Sequence, residues 1–195
     1  MEVRMPKAKA SKKSTSPKGS LKKPDLSLSQ ITATGLPHVS PTYGLKARDK
    51  YLPFSHAETR LAKSHNYWIC TARPDGRPHS IPVWGFWIDG ALYFGTARDS
   101  RKSHNLSHNP AISIHLESGD DVVILEGTAT EVDPKDKPTF KKLDAASRAK
   151  YNMPLAAPPG GDSVVYRVRP RVVLAWTEKD FPNNATRWQL DAGAE

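Results

Sequence analysis

Two Asp-Gly pairs, Asp75-Gly76 and Asp89-Gly90, stand between runs of aromatic and β-branched residues and constrain this chain more than any other feature. Glycine accepts the positive φ that a tight hairpin turn demands, so Asp-Gly in this setting is a strong local signal for antiparallel pairing. The first pair joins Tyr67-Trp68-Ile69-Cys70-Thr71-Ala72 to a return strand from His79 to Trp87. The second reverses that strand into Ala91-Leu92-Tyr93-Phe94-Gly95-Thr96. The spacing predicts three consecutive antiparallel strands, a meander.

The flanking segments extend this pattern. Ser55 and Glu58 have capping-box spacing, which predicts a short helix running through Leu61 to Asn66. Asp99 to His108 reads as a helix of two or three turns that stops at Asn109-Pro110. Ile112, Ile114 and Leu116 then alternate with Ser113 and His115, the period of a half-buried strand. After a loop at Glu117–Asp121 comes a strand from Val122 to Val132, where Gly127 suggests a bulge or a close backbone approach. Pro134 to Tyr151 reads as an outer helix. Val164 to Trp176 reads as a long strand, with Pro170 arguing for a kink or an edge. About six strands and two or three helices make a mainly β fold, and closing the sheet into a barrel would remove its edges.

Charge separates the body from an appendage. Residues 1–24 hold eight Lys and Arg against Glu2, so +7 of the net +9 lies there. This Lys-, Ser- and Pro-rich stretch has too little apolar surface to offset its conformational entropy. Residues 1–42 are therefore expected to be a disordered basic tail and linker, with Ser27 to Tyr43 as the linker, and residues 43–195 the folded domain. No aromatics alternate with the tail lysines, which argues against a stacking platform for nucleic acid. No apolar h-region follows them, and no run approaches the roughly 18 apolar residues of a membrane span. Cys70 is the sole cysteine, so no intrachain disulfide forms, which suits the cytoplasm.

The chemically informative run is Thr96-Ala97-Arg98-Asp99-Ser100-Arg101-Lys102-Ser103, where a strand ends and a helix begins. The first N–H groups of a helix lack intrahelical acceptors and favour an anion. Ser100 adds a hydroxyl, Arg101 can fork onto two phosphate oxygens, and Lys102 supplies a point charge. Cations at a helix N-terminus oppose the dipole, so an anionic ligand would balance them. By charge alone, a solvated surface turn looks the same.

Tyr67 to Val132 resembles the pyridoxamine-5′-phosphate oxidase-like family of flavin and deazaflavin oxidoreductases. The resemblance is carried by Thr71-Ala72-Arg73-Pro74-Asp75-Gly76-Arg77-Pro78-His79, Pro82-Val83-Trp84, Tyr93-Phe94-Gly95-Thr96 and Ser100-Arg101-Lys102. It continues through Asn105-Leu106, Asn109-Pro110, Glu126-Gly127-Thr128-Ala129 and, near the end, Ala185-Thr186-Arg187-Trp188. What it implies is a six-stranded antiparallel split β-barrel, a homodimer, and a cofactor in the groove between subunits. Ser100, Arg101 and Lys102 would then grip the cofactor phosphate, with Thr96 nearby. The strand His79-Ser80-Ile81-Pro82-Val83-Trp84 would pass beside the ring, and Arg187 and Trp188 would lie near the cofactor. A flat ring needs apolar walls and a few backbone donors, which Ser80, Ile81, Val83 and Trp84 can supply. Phe86 and Trp87 read as ordinary packing.

Other motifs carry less. His104 and His108 are four apart on a helix, but no acid between them and no third ligand completes a metal site. Nothing selects a haem ligand among His65, His79 and His115. Redox chemistry would therefore belong to the cofactor, and no general acid or base is named. Both FMN and coenzyme F420 are compatible. The short FMN tail is met by the cluster, whereas the acidic F420 tail asks for more cations, which the N-terminal lysines could supply. The segment Phe181 to Trp188 lacks the Arg-Leu-His-Asp-Arg type ending of the true vitamin B6 oxidase, so a different small organic substrate is expected. The alternative is a barrel that binds a flavin or haem without turnover.

Overall fold

Asp89 and Gly90 both have positive φ, 49° and 75°, and Ile88 pairs with Ala91 across them. This two-residue turn, whose twist matches that of the strands, joins β4 (Phe86–Ile88) to β5 (Ala91–Ala97). The Asp75-Gly76 turn is longer. Arg73 N donates to Arg77 O at 2.9 Å, and Gly76 adopts φ 82° inside the loop. It joins β2 (Asn66–Ala72) to β3 (Pro78–Trp84), which stay in register from Asn66 opposite Trp84 to Ala72 opposite Pro78. The computed structural model describes residues 30–155 and 161–191.

The expected meander does not form. The segment from His79 to Trp87 breaks at Gly85, and β5 pairs with β4 and β8 but not with β3. A Cβ on Gly85 would stand 2.9 Å from Tyr93 O and 3.1 Å from Tyr67 Cδ2. The chain can cross there only because that residue has no side chain, and the crossing sends β4 away from the β2–β3 hairpin.

The remaining elements are β1 (Ile31–Gly35), α1 (Ser55–Lys63), α2 (Arg101–His108), β6 (Ala111–His115), β7 (Asp121–Glu131), α3 (Lys137–Tyr151), β8 (Ser163–Thr177) and β9 (Thr186–Leu190). Among the described residues nine strands form one antiparallel sheet in the order β1-β9-β8-β7-β6-β2-β3, with β5 joined to the first half of β8 and β4 to β5. All six expected strands exist; the count rises because one splits and because β1 and β9 are added. Ile31–Gly35 was expected to be linker, yet it pairs with β9 from Ile31 opposite Leu190 to Gly35 opposite Arg187. Its side chains are largely exposed and show no alternation in the sequence, so the ladder holds it, helped by Ile31, which packs against the core. The folded unit thus begins before the expected boundary at 43. Residues 1–29, most of the expected tail, lie outside the described residues.

Pro170 is accommodated by a bulge. The β7–β8 register shifts at Glu126/Gly127, where Gly127 faces Pro170 and Glu126 faces Val172. A Cβ on Gly127 would lie 2.2 Å from Arg169 O, so the close approach expected at this glycine is real. The extra residue of the bulge is Arg171, so the ladder is interrupted directly beside the proline, which has no N–H to give.

Side chains from β2, β5, β6, β7, β8 and β9 share one core, with Tyr67, Phe94, Leu125 and Trp188 among its largest fully buried members. α1 covers it through Ala57 and Leu61. The capping box does not form: Phe54 occupies the N-cap without a side-chain bond. Phe54 is instead held by burial, edge-on to Trp188 at 5.3 Å. A second cluster of Phe86, Tyr93, Phe140, Leu143 and Val165 lies under α3, whose N-cap Asp136 accepts from Thr139 N at 3.1 Å. Among the described residues no helix is long and apolar enough to cross a membrane.

Candidate cofactor site

β5 ends at Ala97, and a short turn delivers the chain to Ser100, the N-cap of α2. Ser100 N donates to Ala97 O at 3.1 Å, closing that turn. Ser100 Oγ accepts from Ser103 N at 3.3 Å and from Thr96 Oγ1 at 3.0 Å. Its own hydroxyl hydrogen remains to donate outward, alongside the free N–H groups of the first helical turn.

The buried face of α2 fixes the direction of that helix end. Asn105, fully buried, donates through Nδ2 to Thr71 Oγ1 at 2.8 Å, and Ser103 Oγ lies 3.0 Å from the Tyr166 hydroxyl. Leu106 adds the apolar anchor. Arg101 is exposed and Lys102 half-buried, and burial lowers the Lys102 pKa from its ordinary value. Neither forms an ion pair with a described residue.

Across from α2 stands His79 on β3. Partial burial, followed by the charges of Arg73, Lys102 and Arg101, holds its pKa below the usual histidine value. His79 Nδ1 and Arg73 Nε are both buried and have no hydrogen-bond partner among the described residues. The charges of Arg73, Lys102 and Arg101 thus all bear on His79, and the Arg73 Nε–H is a buried donor left unused among the described residues. The expected site residues His79, Ser100, Arg101 and Lys102 are brought together here, with Thr96 bonded to Ser100.

Arg73 belongs to this group, although from the sequence it reads only as part of a turn and of the motif that carries the family resemblance, with no site role. The available signal was its place beside the Asp75-Gly76 loop, which returns the chain to His79. Asp75, the nearest acid in sequence, is bound to Arg77 at 2.6 Å.

β3 is the last strand of the sheet, so one of its edges has no strand partner among the described residues. Along it Ser80 is exposed and lies 3.2 Å from Cys70 Sγ, Ile81 and Val83 are half-buried, and Pro82 is exposed. Trp84 is 48% exposed and stacks on Tyr151, with ring centroids 4.7 Å apart and planes 9° from parallel. Tyr151 was not singled out in the sequence. Its hydroxyl accepts from Gly85 N at 2.9 Å, which seats the last residue of α3 at the break after β3.

The expected pair near the C-terminus divides. Arg187 points into a broad groove of about 920 Å³ on the outer face of the sheet, shared with Cys70, Ser113, Glu126, Arg171 and Gln189. Trp188, on the opposite face of β9, is 2% exposed and belongs to the core. Strand alternation forces this: adjacent residues face opposite sides. Among the described residues no group of three His, Cys, Asp or Glu is placed to hold a metal.

Comparison with curated proteins finds no match. Among solved structures the chain is similar to the conserved hypothetical protein Rv2991 from Mycobacterium tuberculosis. That similarity has 22% identity and a TM-score of 0.58, covering 77% of this chain and 98% of that one. It is also similar to an FAD-binding protein from Mesorhizobium loti, with 20% identity, TM-score 0.50, and 71% and 96% coverage. A third is a heme binding protein from Mycobacterium smegmatis, with 20% identity, TM-score 0.50, and 68% and 61% coverage. At these identities the likeness is one of fold. The family model for pyridoxamine 5′-phosphate oxidase matches residues 54–177, from the start of α1 to the end of β8. That segment holds every residue of the cation cluster, and the chain belongs to the pyridoxamine 5′-phosphate oxidase family.

Proposed function

We propose that this protein is an oxidoreductase that uses FMN or coenzyme F420 to pass a hydride to or from a small organic substrate. The observation that carries the reading is that the charges of Arg73, and of Arg101 and Lys102 in the first turn of α2, all bear on His79. Arg73 Nε is a buried donor and His79 Nδ1 a buried ring nitrogen, both lacking partners among the described residues. A phosphate fits this set: it accepts from Arg73, Arg101, Lys102, the Ser100 hydroxyl and the helix N–H groups together. The unpaired edge of β3, from Ser80 to Trp84, then offers backbone groups and an aromatic wall to a flat ring. The ring supplies the redox chemistry, and the chain binds and orients it.

Arg187 enters the reading through a homodimer. Within one chain it lies in the outer groove, where a twofold partner would bring it toward the other subunit's ring. Sedimentation as a monomer with full cofactor binding would remove that role. Two of the three histidines named for haem are otherwise engaged: His115 stacks parallel to Trp68 and bonds Leu116 O, and His65 packs on Trp84 and Tyr151, while His79 lies within the cation cluster.

The test is to purify the full chain and identify the extracted cofactor by mass spectrometry, then titrate the stripped protein with FMN and with F420. Tight binding of one of them supports the reading, and a colourless protein that binds neither refutes it. Pyridoxamine phosphate is not expected to be oxidised, because the contact expected of a B6 oxidase ending is missing from Phe181 to Trp188. Robust turnover would overturn that part.

A further inference from the structure

The pocket beside Trp84 speaks to the class of substrate, an inference that rests on the cofactor reading above. A cavity of about 320 Å³ lies between the ends of β3 and β5 and the last turn of α3. Its walls are Trp84, Phe86, Tyr151, Met153 and Leu155, and Thr96 forms the side that adjoins Ser100. No Asp, Glu, Lys, Arg or His lines it among the described residues; its side-chain polar groups are the hydroxyls of Thr96, Ser147, Ser163 and Tyr151.

Two further observations point to an occupant. Trp84 and Met153, 48% and 38% exposed, are two of only four large hydrophobic residues left exposed among the described residues, and both border this pocket. Trp84 is also held flat by Tyr151, so it presents a fixed aromatic wall and not a mobile side chain. An ionised ligand group placed here would lose its hydration without gaining a countercharge. The cations lie beyond Thr96, around His79, where a cofactor phosphate would use them.

We propose that this pocket receives the reacting ring of the substrate, and that the substrate is an uncharged, flat, largely apolar molecule. The phosphorylated pyridine of a B6 vitamer is the opposite kind of ligand.

The test uses two isosteric probes, neutral 2-naphthamide and anionic 2-naphthoate. Each is titrated calorimetrically into the full chain in phosphate buffer, so that the anion cluster is filled with or without cofactor. The amide should bind at least about tenfold more tightly than the carboxylate. Met153→Asp, and separately Ala97→Phe at the pocket rim, should weaken amide binding at least about tenfold while leaving cofactor affinity within about twofold. Equal affinity for the two probes, no binding of either, or wild-type affinity in both variants would overturn the proposal. Amide binding by a chain that takes no flavin or deazaflavin would refute the cofactor reading and leave the pocket's preference for neutral rings standing.

Discussion

Lys150 reaches back from the last turn of α3 to Gly85, where its Nζ donates to the carbonyl oxygen at 3.0 Å. The same ammonium donates to the Tyr67 hydroxyl at 2.8 Å and sits 4.7 Å over the Tyr67 ring. This cation closes the break that separates the two hairpins, and no acid accompanies it in an ion pair among the described residues.

Burial lowers the Lys150 pKa from 10.5 to about 8. Between those values the unfolded chain holds a proton that the folded chain has released, so stability rises with pH across that window. Below pH 8 the penalty is present in full. Lys150→Met should flatten the rise, measured as the urea midpoint from pH 7.5 to 10.5. A variant whose midpoint climbs as the wild type's does would contradict this account.

Gly127 and Gly119 form a matched pair. Gly127→Ala places a methyl 2.2 Å from Arg169 O, whereas nothing lies within 4 Å of the corresponding position at Gly119. Overpacking against backbone in a central ladder costs about 1–3 kcal/mol or more. Gly119→Ala should stay within about 0.5 kcal/mol of wild type. Chemical denaturation of both variants reads the difference, and comparable stabilities would show that the bulge yields easily.

Ser100 serves both the helix and the proposed phosphate, and two substitutions separate these roles. Ser100→Ala loses the N-cap at a cost of about 1 kcal/mol, while Ser100→Gly costs only a few tenths. Both remove the hydroxyl, so both should weaken cofactor binding by a similar factor. If affinity followed stability across the two variants, the hydroxyl would be a cap and nothing more.

The double variant Arg101→Ala/Lys102→Ala should lose at least about tenfold in cofactor affinity, since each charge-assisted bond is worth about 1.5–3 kcal/mol. Its thermal midpoint should barely move, because neither side chain forms an ion pair among the described residues, the exposed Arg101 charge contributes little to stability, and burial of the half-buried Lys102 opposes its charge. Arg73→Ala should show the same separation. Unchanged affinity in both would place the phosphate elsewhere.

Local pattern by itself determined the two Asp-Gly turns, the alternating strand Ile112–Leu116, the bulge at Gly127 and the Ser100-Arg101-Lys102 cluster at a helix start. Each depends on φ preference, side-chain period or charge among near neighbours, all of which are written in the chain. Tertiary structure decided what those pieces met. It separated β3 from β5 at Gly85 and recruited Ile31–Gly35 as a strand mainly by pairing with β9. It turned Trp188 into the core while Arg187 faces out, and it brought Arg73 and His79 to the cations of α2. Those outcomes depend on groups far apart in sequence sharing space, where burial and unpaired backbone edges outweigh local preference.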